Sequence, residues 1–171
     1  RLVETANLQI EESALTGEEE TPAWAGVNVL TGEPTPVLSG LKEHHITADI
    51  AYALWQYYQA TADTAFMEAY GSEILFATAT FWASRLQWDE QKNAYCLNDV
   101  IGPDEYKERV NNNAYTNYLA HWNLKTAIGH YEDLQAKQTK AYLRLKDQYN
   151  LEQACLHWRA AVDKIYLPSP R

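Results

Sequence analysis

Ile46-Thr47-Ala48-Asp49-Ile50-Ala51-Tyr52-Ala53-Leu54-Trp55-Gln56-Tyr57 is the stretch whose spacing decides the fold class. Ile46, Ile50, Ala53, Leu54 and Tyr57 recur at helical intervals and make one apolar stripe, while His45, Asp49, Tyr52 and Gln56 fall on a neighbouring, more polar face. Thr61-Ala62-Asp63-Thr64 offers a stop followed by a new N-cap. A second helix is predicted from about 64 to 86, with Phe66, Tyr70, Ile74, Ala77 and Phe81 on its stripe, so 44–86 reads as an antiparallel helical hairpin. Downstream, 87–112 loses the period. Trp88–Asn93 is polar and turn-like, Tyr95-Cys96-Leu97 reads as a short extended piece, and Ile101-Gly102-Pro103 marks a turn ahead of Asp104-Glu105. Helical pattern returns over 113–171, at about 113–134, 138–148 and 151–165, with Pro168 and Pro170 closing the last helix. No period of the solenoid kind repeats. The expected class is all-α.

Upstream, residues 1–43 differ. They carry eight acids against Arg1 and Lys42, three of the six prolines, and four of the seven glycines. Such a composition interrupts helices repeatedly, so 1–43 is read as a long ordered loop or lid. The whole chain has 171 residues, 23 acidic and 14 basic, for a net charge of −9. That balance argues against nucleic acid, whose binding relies on clustered Lys and Arg. No apolar run has bilayer-spanning length and no basic-then-apolar leader opens the chain, so no membrane partner is expected. A start at Arg1 without methionine fits an excised or processed segment. Cys96 and Cys155 match no metal or redox spacing and are read as free thiols in a reducing, cytoplasmic compartment.

Chemistry concentrates in Val100-Ile101-Gly102-Pro103-Asp104-Glu105-Tyr106-Lys107-Glu108-Arg109-Val110-Asn111-Asn112-Asn113-Ala114-Tyr115-Thr116-Asn117. Gly102-Pro103 places carboxylates on a loop just ahead of a helix. An acid that donates a proton near neutral pH needs a raised pKa, which burial or an adjacent like charge provides, and Asp104, Glu105 and Glu108 are near enough to couple. A solvated loop or a helix cap is the plainer reading of the same acids. On a helix from 113, Asn113, Asn117 and His121 align behind the loop, and Tyr115, Tyr118 and Trp122 form a separate stripe. Amides and an imidazole there suit hydroxyl recognition; capping and core packing are the alternatives. Glu43-His44-His45 precedes the first helix, where a histidine either bonds a substrate hydroxyl or is buried and structural. No HExxH or Cys/His cluster supports a metal, and there is no phosphate-cradling loop or GxSxG elbow. Thr16–Thr21 is either a polar binding turn or an acidic surface loop. Six tryptophans and twelve tyrosines are a heavy aromatic load, read in part as core and in part as faces that suit stacking on sugar rings.

Glu43–Ala53, Val100–Asn117 and His121-Trp122-Asn123-Leu124 together resemble glycoside hydrolase family 65, which contains inverting phosphorylases of maltose, trehalose, kojibiose and nigerose. The resemblance runs over nearly the whole chain, and family members are about four times longer. It implies part of an (α/α)6 barrel with long ordered loops, with 87–112 as the catalytic loop and 17–45 as the variable loop shaping the acceptor subsite. It carries the general acid over to Glu105, with His44, His45, Asp104, Asn113 and Asn117 as substrate-binding residues. The implied reaction is inverting phosphorolysis of an α-glucosyl disaccharide to β-glucose 1-phosphate. Phosphate is the co-substrate and no cofactor or metal is implied. Phosphate is already anionic, so the second carboxylate that an inverting hydrolase uses as base is not required. The family's Trp-Asp glucose-binding run and its phosphate-binding His and Ser residues fall outside this sequence, so the chain alone is expected to turn over nothing. A hydrolase of the same family and a non-catalytic carbohydrate-binding module are the alternatives; homodimerisation of the full-length protein is also implied. Departures from the family pattern fall at Ala77, Thr80 and Asn111, and Glu105 stays in place.

Overall fold

Small residues decide how the first long helix packs. The computed structural model describes residues 23–169. In it, α2 (His45–Thr61) turns Ala48, Ala51 and Leu54 inward and leaves Ile50 and Tyr57 exposed. This corrects the expected stripe, of which only Leu54 is buried. Alanines let a neighbouring helix approach closely, and that closeness outweighs the larger side chains on the other face.

The second helix begins where the sequence placed its cap. Ala62 ends α2 in the left-handed region, and the Asp63 carboxylate accepts from Phe66 N at 2.9 Å. From there α3 (Thr64–Phe66), a π turn (Met67–Gly71) and α4 (Ser72–Arg85) run on as one rod. The wide turn has a local cause: Ser72 Oγ donates to Met67 O at 2.8 Å, and a Cβ on Gly71 would lie 2.4 Å from Met67 Sδ. One extra residue in the turn rotates the face that follows. Leu75, Phe76, Ala79 and Trp82 therefore point inward. Of the predicted stripe, Ala77 and Phe81 are buried, whereas Phe66, Tyr70 and Ile74 are not.

Helix α5 (Ala114–Lys137) is the central element, packed against α2, α4 and α7 (Leu151–Val162). Its 24 residues span about 36 Å. Asn113 caps its start, and Gln138 in the left-handed region closes it. Thr139 then caps α6 (Lys140–Gln148) through Tyr142 N. Trp82, Trp158, Phe76, Leu75 and Leu124 lie in one buried cluster, with Phe76 and Trp158 stacked at 6.1 Å. Cys96 and Cys155 are buried and unbridged.

Two small hairpins accompany the helices. Within the stretch read as a loop, β1 (Trp24–Val27) pairs with β2 (Pro34–Pro36), turned by Asn28 Oδ1, which accepts from Leu30 N; α1 (Ser39–Lys42) follows. Residues 1–22, including the Thr16–Thr21 turn, lie outside the described residues. The second hairpin, β3 (Gln87–Asp89) with β4 (Ala94–Cys96), takes in the extended piece expected at Tyr95. Tyr95 also exchanges backbone hydrogen bonds with Lys164 and Tyr166. That pairing ends α7 at Val162, three residues before the predicted limit. Among the described residues, no helix is long and apolar enough to cross a membrane.

Candidate active site

Helices α2 and α5 descend side by side from one loop. Tyr115 OH donates to Asp49 Oδ1 at 2.7 Å, Tyr52 meets Trp122 edge-on at 5.0 Å, and Trp55 meets His130 at 5.7 Å. Contacts advancing together along both helices make them parallel, with both N-termini at the Gly102–Glu105 turn. Along this seam Trp55, Tyr58 and Trp122 line an open cleft of about 480 Å³.

The loop is closed at its base by a reciprocal pair, Val100 N to Val110 O at 3.0 Å and Val110 N to Val100 O at 2.9 Å. Three consecutive asparagines then lock it. Asn111 Oδ1 accepts from Asp99 N, Asn112 Oδ1 accepts from Leu97 N, and Asn113 Oδ1 accepts from Thr116 N as the helix cap. Asn112 is in the left-handed region, φ +57°, which Asn tolerates better than most residues. Asn117 is fully buried, and its amide nitrogen donates to Asn112 Oδ1 at 3.0 Å and Tyr166 O at 2.7 Å. Gly102 fits only because it has no side chain, since a Cβ there would lie 2.4 Å from Asn113 Nδ2. Ile101 N donates to Lys42 O at 3.0 Å, which fastens the loop to the segment before α2, and Lys42 Nζ pairs with Asp99.

These restraints place Glu105 at the tip of a tight turn, where Glu105 N donates to Gly102 O at 3.2 Å. Its φ of +52° is uncommon for a residue with a Cβ and marks strain held by the surrounding bonds. Asp104 beside it is exposed. The Glu105 carboxylate acts on the neighbouring carboxyl of Glu43. Glu43 is 5% exposed. Burial first, and then the Glu105 charge, raise its pKa to about 7.

Sequence reasoning did not single out Glu43 as a buried acid beside Glu105. Its position immediately before the histidine pair was the available signal.

The histidines occupy different surroundings. His44 Nε2–H donates to Leu41 O at 3.0 Å and its ring stands edge-on to Phe81. Burial, reinforced by the Arg85 charge, lowers its pKa to about 4, so the ring is neutral. His45 is buried with Nε2 3.9 Å from Asp49 Oδ2 and its ring edge-on to Tyr115. Hydrogen bonding to Asp49 pushes Tyr115 up to about 12. The structure thus gathers Glu43, His44, His45, Asp104 and Glu105 at one end of α2, whereas Asn113 and Asn117 make their bonds within the protein. Among the described residues, no group of three or more His, Cys, Asp or Glu is placed to hold a metal ion.

The sequence pattern described as "Glycosyl hydrolase family 65 central catalytic domain" matches residues 10–171. A kojibiose phosphorylase from Halothermothrix orenii is 49% identical over 92% of this chain and 20% of its own length. A kojibiose hydrolase from Flavobacterium johnsoniae is 46% identical over 68% of the chain and 15% of its own. A solved structure from the human microbiome, proposed by its name to be a kojibiose phosphorylase, superposes with a TM-score of 0.64. It is 27% identical and is matched over 73% of this chain and 17% of its own. The chain spans about a fifth of the length of the curated phosphorylase it matches.

Proposed function

The chain belongs to glycosyl hydrolase family 65 and is part of its helical barrel, and from that premise we propose that the full-length protein is an inverting phosphorylase of an α-glucosyl disaccharide, with Glu105 as general acid. Glu105 protonates the glycosidic oxygen while inorganic phosphate attacks the anomeric carbon from the opposite face, giving β-glucose 1-phosphate and a free sugar. In synthesis the same carboxylate takes the proton from the acceptor hydroxyl. The observation that carries this reading is the placement of Glu105: exposed on a strained turn, beside the buried acid Glu43, and set where two parallel helices begin. Such a carboxyl is open to solvent or substrate and is held in place by the loop behind it.

Asp104 and the histidine pair are proposed to meet sugar hydroxyls, with Asn113 and Asn117 supporting them from behind. Kojibiose is the first substrate to try, because the phosphorylase at 49% identity acts on it. Phosphate is the only co-substrate proposed, with no cofactor. A homodimer in the cytoplasm completes the proposal.

The matched kojibiose hydrolase favours one second reading, in which a carboxylate outside this chain activates water in place of phosphate. Both readings use the same acid, so the test varies the nucleophile. The full-length protein is incubated with kojibiose, nigerose, trehalose and maltose, with and without phosphate, and glucose 1-phosphate is assayed. Product that requires phosphate and is lost by at least about a thousandfold in Glu105→Gln is expected. Glucose release indifferent to phosphate overturns phosphorolysis in favour of hydrolysis. Sugar binding with no turnover in either condition leaves a non-catalytic module.

A further inference from the structure

We propose that Asp49 and His45 read one hydroxyl of the sugar: the hydroxyl donates to Asp49 Oδ2 and accepts from His45 Nε2–H, while Tyr115 holds the carboxylate in place. The inference rests on the reading of this end of α2 and α5 as a sugar site. It goes beyond that reading by making Asp49 a specificity-determining residue and by fixing the tautomer of His45.

Three side chains from two helices hold one another. Tyr115, in the first turn of α5, donates its hydroxyl to Asp49 Oδ1 at 2.7 Å, and its ring stands edge-on to His45 at 5.7 Å. His45 and Asp49 are four residues apart on α2, so imidazole and carboxylate lie on one face. The bond to Asp49 raises the Tyr115 pKa to about 12, which keeps the phenol a donor. With Oδ1 engaged the carboxylate is fixed in rotation, and among the described residues Oδ2 has no hydrogen-bond partner.

The space between the two groups has the size of one oxygen. His45 Nε2 lies 3.9 Å from Asp49 Oδ2, too far for a direct hydrogen bond. An oxygen about 2.7 Å from the carboxylate and about 2.9 Å from the imidazole fits there, its two bonds meeting at roughly a right angle. A hydroxyl suits both partners, because it donates to one and accepts from the other. An ammonium group cannot accept from the imidazole, and a carboxylate or phosphate oxygen meets the Asp49 charge.

Burial sets the tautomer. His45 is 7% exposed, and among the described residues its Nδ1 is buried without a partner. An unpaired N–H is the rarer orphan in a protein interior, so the bare lone pair belongs on Nδ1. The hydrogen then sits on Nε2, with its positive end toward Asp49. Asp49 is half-exposed and Tyr115 exposed, which leaves the carboxylate side open to a ligand. His44 commits Nε2 to Leu41 O, so His45 is the member of the pair with Nε2 available. Ile101 N bonded to Lys42 O ties the acid loop to the segment leading into α2, and Asn113 caps α5 two residues before Tyr115. The three side chains therefore stand at the end of the seam that carries Glu105.

The test pairs Asp49→Asn with deoxygenated sugars in the full-length protein. Asparagine keeps the shape and an oxygen for Tyr115, but turns a donor toward the hydroxyl and the imidazole. Of kojibiose, nigerose, trehalose and maltose, the one turned over fastest is used with its monodeoxy analogues, and kcat/KM is measured. Asp49→Asn is expected to lose about thirtyfold on the parent sugar. On the one analogue that lacks the hydroxyl read here, wild type is itself reduced and the variant costs less than about twofold more. On the other analogues the full loss remains. A loss equal on every analogue overturns the proposal and leaves Asp49 a structural residue. Tyr115→Phe, which releases the carboxylate without removing it, is expected to show a smaller loss with the same pattern, and it decides the matter if Asp49→Asn does not fold.

The pattern can be read in phosphorolysis or in phosphate-independent glucose release, so failure of phosphorolysis leaves this test standing. If none of the four sugars is turned over, the proposed reaction fails by itself, and calorimetric titration of the same sugars and analogues reads the pattern in Kd. Absence of binding by all of them overturns the hydroxyl site as well.

Discussion

The helical core and the acid loop are held together by opposite means. Around α4, α5 and α7 the interactions are apolar and numerous. Trp158 stacks on Phe76, and Trp82, Leu75 and Leu124 fill the space beside them. From Leu97 to Asn117 the loop is held by single polar bonds, each with a named donor and acceptor. Many weak contacts tolerate the loss of one, because neighbours relax partly into the space. A loop built from single bonds has no such reserve, so a small change there alters geometry where the acid must be placed to within a fraction of an ångström.

Replacing Trp158 by Ala draws the contrast at its largest. Loss of a fully buried indole costs roughly 3–5 kcal/mol of stability. Calorimetry on the full-length protein is expected to show a markedly lower Tm, with near wild-type activity per folded molecule at low temperature. Lost activity in the folded protein would show that core and loop are more tightly coupled than their separate bonding implies.

Acid separates the regions in another way. His130 is buried between Trp55 and Phe76, its Nε2 2.8 Å from Ser72 Oγ, and burial lowers its pKa to about 4, as with His44. A histidine with a depressed folded pKa contributes stability that is complete above the unfolded value near 6.5 and is lost as pH falls toward 4. Each contributes at most about 3 kcal/mol over that window. Tm measured from pH 7 to 4 should fall, and His130→Phe should flatten the slope through the core term alone.

Gly102→Ala sharpens the comparison from the loop side with the smallest effect on stability, about 1–2 kcal/mol. The new Cβ meets Asn113 Nδ2, and Asn113 cannot swing away without abandoning its cap on α5. Activity is expected to fall at least about tenfold while Tm moves little. A large Tm drop with activity intact would reverse the argument.

What the sequence made legible follows the same division. Asp63 and Asn113 each mark a helix start, because a cap is a local interaction between residues three apart. The inward face of α2 was not legible, since which side is buried depends on the helix it meets, and alanines at a close interface carry little hydrophobic signal. Nor was the π turn, which follows from how Gly71, Ser72 and Met67 fit together. The acid loop was visible as a motif, but its central pair was not. Glu43 and Glu105 belong to distant parts of the chain, and only the bond from Ile101 to Lys42 shows why they meet.

The three asparagines have a consequence of a different kind. All three restrain the loop through the amide oxygen, a job an aspartate oxygen performs equally well in a hydrogen bond. Three aspartates would add three negative charges around a loop that already carries Asp99, Asp104, Glu105 and Glu108. Each would raise the proton affinity of every carboxyl nearby. Neutral acceptors separate the mechanical task from the electrical one: the loop can be tightened without retuning the acid it carries.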